Sequence, residues 1–90
     1  MKDKEILTIL KTDLQIAAEQ YDKYLKSLIH LARKAITREG ITIQDDVEDG
    51  MLVEMYAAYL YRKRKENAAG MPRMLRYMLN NRLLSEKMGG

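Results

Sequence analysis

The sequence contains no cysteine, one proline and five glycines in 90 residues. Without cysteine, a disulfide framework, a thiolate metal site and a cysteine nucleophile are all excluded, and a reducing compartment is expected. Because proline and glycine are scarce, few positions force a helix to break, so we predict an all-α fold. A chain of this length forms one small domain with a thin core, and we expect that domain to span residues 1–90.

Long apolar runs are also missing. No run reaches the roughly 18 residues that a membrane span requires. The charged residues at positions 2–5 leave no room for the apolar core of a signal peptide. We therefore expect a protein of the cytoplasm that has no membrane partner.

Residues that could carry catalysis are few and poorly placed. His30 is the only histidine, so a pair of histidine ligands at helical spacing cannot form. Ser27 and Ser85 lie in no nucleophile motif, and the chain has no glycine-rich phosphate loop. We expect no enzymatic activity, no metal and no cofactor.

The net charge of +3 is unevenly distributed. Residues 1–50 carry 8 basic and 10 acidic side chains, whereas residues 51–90 carry 8 basic and 3 acidic ones. The excess of positive charge in the second half predicts attraction for an anionic partner. A solvated helix end, where cations stabilise the helix dipole, explains the run at 62–65 equally well. The candidate contacts for phosphate groups or an acidic protein surface are Arg62, Lys63, Arg64, Lys65, Arg73 and Arg76.

Hydrophobic periodicity predicts a small bundle of four helices, of which the second and third are longest. The first has apolar residues at spacings of three and four over 6–14, with Asp3 as its N-cap. The second carries an apolar stripe over 21–36 and ends at Gly40, which can adopt a left-handed cap conformation. The β-branched triplet at 41–43 is expected to be an extended connector.

The third helix is expected to begin at the acidic run 45–49 and to continue to about Asn67. Asp45 and Glu48 have the spacing of a capping box, and the acids lie where the positive end of the helix dipole would be. The same run resembles a calcium loop only in part, because its third position is Val47. Helix capping is therefore its expected role.

A break over 68–70 is expected to precede the fourth helix, which would have Pro72 at its first position. From Ser85 onward the chain is expected to fray. The buried stripe of this helix is predicted to consist of Met71, Met74, Leu75, Met78, Leu79 and Leu83.

The segment from Met51 to Tyr61 is apolar on every side of the predicted third helix, with Glu54 as the one exception among eleven residues. Such a helix has to be covered all round, and a 90-residue chain has little material with which to cover it. We therefore expect partner subunits to complete the cover. The candidate subunit interface consists of Met51, Val53, Tyr56, Ala57, Tyr59 and Tyr61.

Two stretches resemble the head–tail connector family of tailed phages and their prophages. The first is residues 49–64, DGMLVEMYAAYLYRKR, and the second is residues 71–82, MPRMLRYMLNNR. The N-terminal part is similar in outline, with LTILKTDL at 7–14 and YDKYL at 21–25. The resemblance is carried by the combination of D-G, Y-A-A-Y-L, R-K-R and M-P-x-x-L-R at these spacings.

The resemblance implies a small α-helical adaptor that forms a ring of identical subunits, commonly dodecameric, under the portal protein of a DNA-filled head. The ring joins the head to the tail-completion proteins, and the genome passes through its centre. It also implies a virion protein, present in the host cytoplasm during assembly, with no catalytic residue. The residues that would shape the subunit and its contacts are Tyr56, Tyr59, Arg62, Arg64, Pro72 and Arg76.

A second interpretation is a small helical DNA-binding regulator that uses the basic segment from Arg62 to Arg82. Two helices joined by a short break that contains glycine favour this interpretation. A regulator of this kind should bind duplex DNA with a steep salt dependence. The predicted fourth helix argues against it, because its apolar stripe leaves few Asn or Gln side chains to read base edges.

Overall fold

The computed structural model describes residues 1–66 and 70–89, and within these residues the chain is helical, with no strand. The all-α prediction of four helices is confirmed. The predicted helix end at Asn67 and the predicted break at 68–69 lie outside the described residues. The helices are α1 (Asp3–Leu14), α2 (Asp22–Arg38), α3 (Val47–Glu66) and α4 (Arg73–Lys87), and a short 3-10 helix at Glu19–Tyr21 precedes α2.

Helix α3 is the centre of the fold. It packs against α1, α2 and α4, and α1 and α2 also pack against each other. The chain extends 42 × 29 × 18 Å along its principal axes, so it is flattened in one direction. The body is therefore thin, and its core is one continuous cluster formed by Ile6, Leu7, Leu10, Leu25, Leu28, Ile29, Ala32, Ile36, Ile41, Leu52, Val53, Ala57, Ala58, Leu75 and Leu79.

The start of α1 differs by one residue from the prediction. Lys2 is the N-cap, and the carboxylate of Glu5 accepts a hydrogen bond from the Lys2 N–H at 3.1 Å. Asp3, predicted as the cap, is instead the first helical residue, and its carboxylate binds the guanidinium of Arg33 at 2.7 Å. The helix stops at Leu14 because Gln15 takes a left-handed backbone conformation, with φ of 58°.

The start of α3 is also shifted by one residue. The predicted pair was Asp45 and Glu48, but α3 begins at Val47, so Asp46 occupies the capping position. The carboxylate of Asp46 accepts a hydrogen bond from the N–H of Asp49 at 2.8 Å. The acidic run therefore caps the helix as expected, with a register that spacing alone did not determine.

The Met51–Tyr61 segment is covered within the single chain. Each of its eleven residues is buried or half-buried, and none belongs to the strongly exposed large apolar side chains. Partner subunits are therefore not needed to bury Leu52, Val53, Glu54, Ala57 and Ala58, because α1, α2 and α4 cover these residues. The half-buried tyrosines pack on one another within the chain: the rings of Tyr56 and Tyr59 meet edge to face, with centroids 5.8 Å apart.

Helix α4 departs furthest from the prediction. Pro72 is its N-cap rather than its first helical residue, because its ψ of 141° is extended. Only Leu75 and Leu79 of the predicted stripe are fully buried, while Met74 is 61% exposed. The helix also continues to Lys87 instead of fraying from position 85.

Gly40 ends the α2 region with φ of 106°, in the left-handed range that the sequence predicts for it. A Cβ atom at this position would also lie 3.3 Å from the Cδ1 atom of Leu83 on α4. We expect Gly40→Ala to lower the free energy of unfolding by about 1–2 kcal/mol, because an L-residue is strained in this conformation. Chemical denaturation measures the change.

Gly70→Ala is the matched control, because a Cβ atom there meets nothing within 4 Å. Its effect should stay within about 0.5 kcal/mol. Equal effects of the two substitutions would show that the backbone at position 40 is not as described.

Candidate interaction surfaces

The four cations at the end of α3 do not form one patch. The guanidinium of Arg62 binds the Asp13 carboxylate of α1 at 3.1 Å. Arg64 lies over the Tyr24 ring of α2, 5.9 Å from its centroid. Because consecutive residues of a helix point in different directions, Arg62, Lys63, Arg64 and Lys65 spread around α3.

Lys63 and Lys65 remain beside tyrosines of their own helix. The ammonium of Lys63 lies 5.7 Å from the centroid of Tyr59, and that of Lys65 lies 5.8 Å from the centroid of Tyr61. Both lysines are exposed, so these contacts contribute little to stability. Their charge is available to an anion in solution.

The two predicted arginines of α4 are brought together with an aromatic side chain of α3. Arg73 and Arg76 line a surface groove with Tyr59 and Tyr77. Arg76 is already occupied, however, because its guanidinium makes a two-pronged ion pair with Glu39 at 2.9 and 3.1 Å. Glu39 therefore competes with any outside anion for this guanidinium.

Two of the six residues of the predicted subunit interface on α3 are interior, and the other four keep some exposed surface. Val53 and Ala57 have no exposed surface, so they cannot contact another subunit while the chain is folded. Met51, Tyr56, Tyr59 and Tyr61 are half-buried. Tyr61 packs against Tyr24 of α2 with ring centroids 6.5 Å apart, so the tyrosines hold the bundle together.

A buried carboxyl group lies at the contact between α1 and α3. Glu54 is 3% exposed, and burial together with the neighbouring Asp13 carboxyl raises its pKa to about 8. The hydrogen bond between the two groups, aided by Arg62, lowers the pKa of Asp13. A proton on Glu54 at neutral pH avoids burying a second negative charge beside Asp13. A lone acid within an apolar segment was the signal for this burial.

A second buried ionic group joins the start of α3 to α4. The Nε of Arg82 donates to one oxygen of Asp49 at 2.9 Å, and an Nη donates to the other at 3.1 Å. The same guanidinium donates to the carbonyl of Thr42 at 2.7 Å and to Glu86 at 3.0 Å. Sequence reasoning placed Asp49 at the start of the third helix and Arg82 on the fourth but did not pair them, because no spacing rule connects residues 33 positions apart.

The outward face of α4 is a surface that the sequence analysis missed. We define the outer stripe of α4 as Met74, Tyr77, Asn81 and Leu84 together with Met88, the C-cap residue that directly follows the helix. Its four apolar members are 61%, 63%, 56% and 76% exposed, in chain order. They follow spacings of three and four along the helix, which a search for a second apolar stripe on the same helix could have detected.

His30 and the acidic side chains do not form a metal site within the described residues. His30 is exposed and lies beside Arg33 and Lys34, a cationic setting that disfavours a metal cation. In residues 1–66 and 70–89, no group of three or more His, Cys, Asp or Glu side chains could hold a metal ion. Over the same ranges no helix combines the length and apolar character that crossing a bilayer requires.

Protonation of Glu54 makes stability depend on pH. The pKa of Glu54 is about 8 in the folded chain, against an ordinary value of 4.5. The folded state therefore binds more protons than the unfolded state between these values, and stability falls as pH rises from 4.5 to 8. Glu54→Gln cannot ionise at this position. Between pH 5 and pH 8 we therefore expect its free energy of unfolding to fall by at least about 1 kcal/mol less than that of the parent chain.

The measurement is the free energy of unfolding at pH 5 and at pH 8 for both proteins. Glu48→Gln is the control, because Glu48 is an exposed acid on the same helix; it should keep the pH dependence of the parent chain. A parent chain as stable at pH 8 as at pH 5 would contradict the assignment of a proton to Glu54.

In comparisons with known proteins, no family model, no curated protein and no solved structure matches this chain.

Proposed function

We propose that this protein is a structural adaptor of a phage or prophage virion, a subunit of a ring that joins the portal of the DNA-filled head to the tail. The observation that carries the proposal is the outer stripe of α4. The resemblance of residues 49–64 and 71–82 to head–tail connectors supports it and supplies the expected partners, namely identical subunits, the portal protein and tail-completion proteins.

The outer stripe is unusual for a chain of this size. A single exposed apolar side chain is ordinary, but an exposed row along one helix is typical of a protein–protein contact. The opposite face of α4 is fixed by Leu75 and Leu79, which are 1% and 0% exposed. The stripe is thus held in place before any partner arrives, which reduces the entropy lost on binding.

Helix α4 replaces α3 as the proposed contact element of the adaptor. Val53 and Ala57 are unreachable, whereas Met74 and Tyr77 need no rearrangement to be touched. In the ring, α3 therefore acts as the internal support of each subunit. The portal or neighbouring subunits meet α4.

The exposed basic residues at the end of α3 have a smaller role in the proposed adaptor than the outer stripe has. Lys63, Arg64 and Lys65 are exposed, and ring symmetry multiplies their field at one end of the assembly. They line or edge the channel through which the genome passes. Such a lining holds DNA weakly, since tight binding would oppose passage.

A DNA-binding regulator is the weaker candidate. Of the predicted cations, Arg62 and Arg76 are engaged by Asp13 and Glu39. The exposed face of α4 is also apolar where a recognition helix needs polar side chains for base edges. Tight binding to duplex DNA that weakens steeply with salt would favour the regulator over the adaptor.

Electron microscopy of the purified chain with portal protein tests the adaptor. We expect closed rings seated on the portal, and we expect Met74→Asp with Tyr77→Asp to abolish them while the helical content of the chain is unchanged. Arg73→Ala, a change beside the stripe, should leave the rings intact. Absence of rings in the presence of portal would contradict the proposal.

A further inference from the structure

We infer that the outer stripe of α4 also pairs with the same stripe of a second copy in the free protein, so that two subunits associate helix to helix with Asn81 facing Asn81. The inference uses the surface on which the proposed function rests, but it needs neither a ring nor a portal. The occupant of the stripe in solution is thus a second copy of this chain.

The spacing of the stripe identifies another helix as its complement. The positions 74, 77, 81, 84 and 88 follow the alternating intervals of three and four that place side chains along the seam between two packed helices. From 74 to 88 the seam is about 21 Å long at 1.5 Å per residue. A flat or irregular partner surface would not match this periodicity as well as a helix does.

The composition of the stripe is compatible with a copy of itself. Met74 and Met88 are at its two ends, Tyr77 and Leu84 lie inside them, and Asn81 is at the centre. A two-fold contact requires that a surface be complementary to itself. In a parallel, in-register pair every stripe residue meets its own copy, so Asn81 meets Asn81.

Asn81 has a specific role in such a seam. It is exposed in the single chain, and its amide carries both donors and an acceptor. Two facing asparagines can hydrogen-bond to each other, whereas an apolar partner would leave both amides unsatisfied. A single asparagine at a core position fixes register in this way in helix pairs, at some cost in stability.

Helix α4 does not have to fold in order to pair. On an isolated peptide a seam of about four turns would be only marginally helical. Here α4 is already anchored by Leu75 and Leu79 on its inner side and by the ion pair of Arg82 with Asp49. Association is therefore not opposed by the free-energy cost of forming a helix.

The area of the stripe predicts a weak pair. Four large apolar side chains, each more than half exposed, contribute on the order of 100 Å² apiece, so two stripes bury roughly 800 Å² in total, below the usual size of a stable complex. Association in the micromolar range is expected. A contact of this strength can open when a larger partner competes for the same face.

Charge distinguishes this pairing from capture of an anionic partner. None of the five stripe residues is charged, and the nearby cations Arg73 and Lys87 are carried by both copies. Added salt screens their mutual repulsion, so association should hold or strengthen as salt increases. Binding of nucleic acid or of an acidic protein would weaken instead.

Sedimentation of the full chain over a range of concentrations tests the pairing. We expect Leu84→Asp to raise the dissociation constant at least tenfold. Leu31→Asp is the matched control, because Leu31 is a leucine of similar exposure, 53% against 56%, on α2; it should leave the constant unchanged. A chain that stays monomeric throughout, or equal effects of both variants, would overturn the inference.

Disulfide trapping gives a second readout, since the chain has no cysteine of its own. Mild oxidation should link Asn81→Cys into a covalent dimer, while Asn80→Cys, an adjacent exposed asparagine, should stay monomeric. Equal linking of both variants, or linking of neither, would overturn the pairing.

The two proposals fail in different ways. If rings form on portal protein but Asn81→Cys does not cross-link, the adaptor proposal holds and the pairing is overturned. If Asn81→Cys cross-links but no rings form, the pairing holds and the adaptor proposal is overturned.

Discussion

The position of α4 depends on one buried ion pair, between Arg82 and Asp49. Leu75 and Leu79 supply the apolar part of the α4 contact, but apolar contacts alone tolerate rotation of a helix about its axis. The guanidinium fixes that rotation, because its donors reach Asp49 and the carbonyl of Thr42 at the same time. The face of α4 that remains open is thus decided by a polar contact on the opposite side.

The same ion pair explains why the end of α4 is ordered. Glu86 accepts hydrogen bonds from both Arg82 and the Thr42 N–H, at 3.0 and 3.1 Å. Asp49 in turn accepts from the N–H of Gln44 at 2.7 Å. Breaking a buried pair of this kind leaves an uncompensated charge, which typically costs about 3–5 kcal/mol. The connector between α2 and α3 and the last turns of α4 therefore depend on each other.

Sequence reasoning succeeded where local chemistry decides the outcome. Gly40 and the stripe of α2 from Tyr24 to Ile36 were predictable, because backbone conformation and helical periodicity act within a few residues; Tyr21, the first predicted member of that stripe, is instead exposed in the 3-10 helix. It failed at α4, whose methionines and leucines fit two overlapping stripes. The long-range pairs of Arg82 with Asp49 and of Arg76 with Glu39 accompany the orientation in which Leu75 and Leu79 face inward. Periodicity alone could not make that choice.

The reasoning about α3 failed for a different reason. An apolar helix was rightly expected to need cover on every side, but the available cover was underestimated, since tyrosines such as Tyr24 and Tyr61 each shield a large area. Glu54 is accommodated in the same interior by keeping its proton beside Asp13. The sequence predicts the partner contact on α3, whereas the structure leaves more apolar surface exposed on α4. We therefore propose α4 as the contact helix of the adaptor.

Hydrogen exchange of the backbone amides in Asp49→Asn tests most directly whether the Arg82 pair holds α4 in place. The substitution keeps the shape of the side chain and removes the charge that Arg82 binds. Protection of the α4 amides should fall at least about tenfold, a change of about 1.4 kcal/mol, while the amides of α2 around Ile29 keep theirs. Unchanged protection in α4, or an equal loss in α2 and α4, would contradict this account.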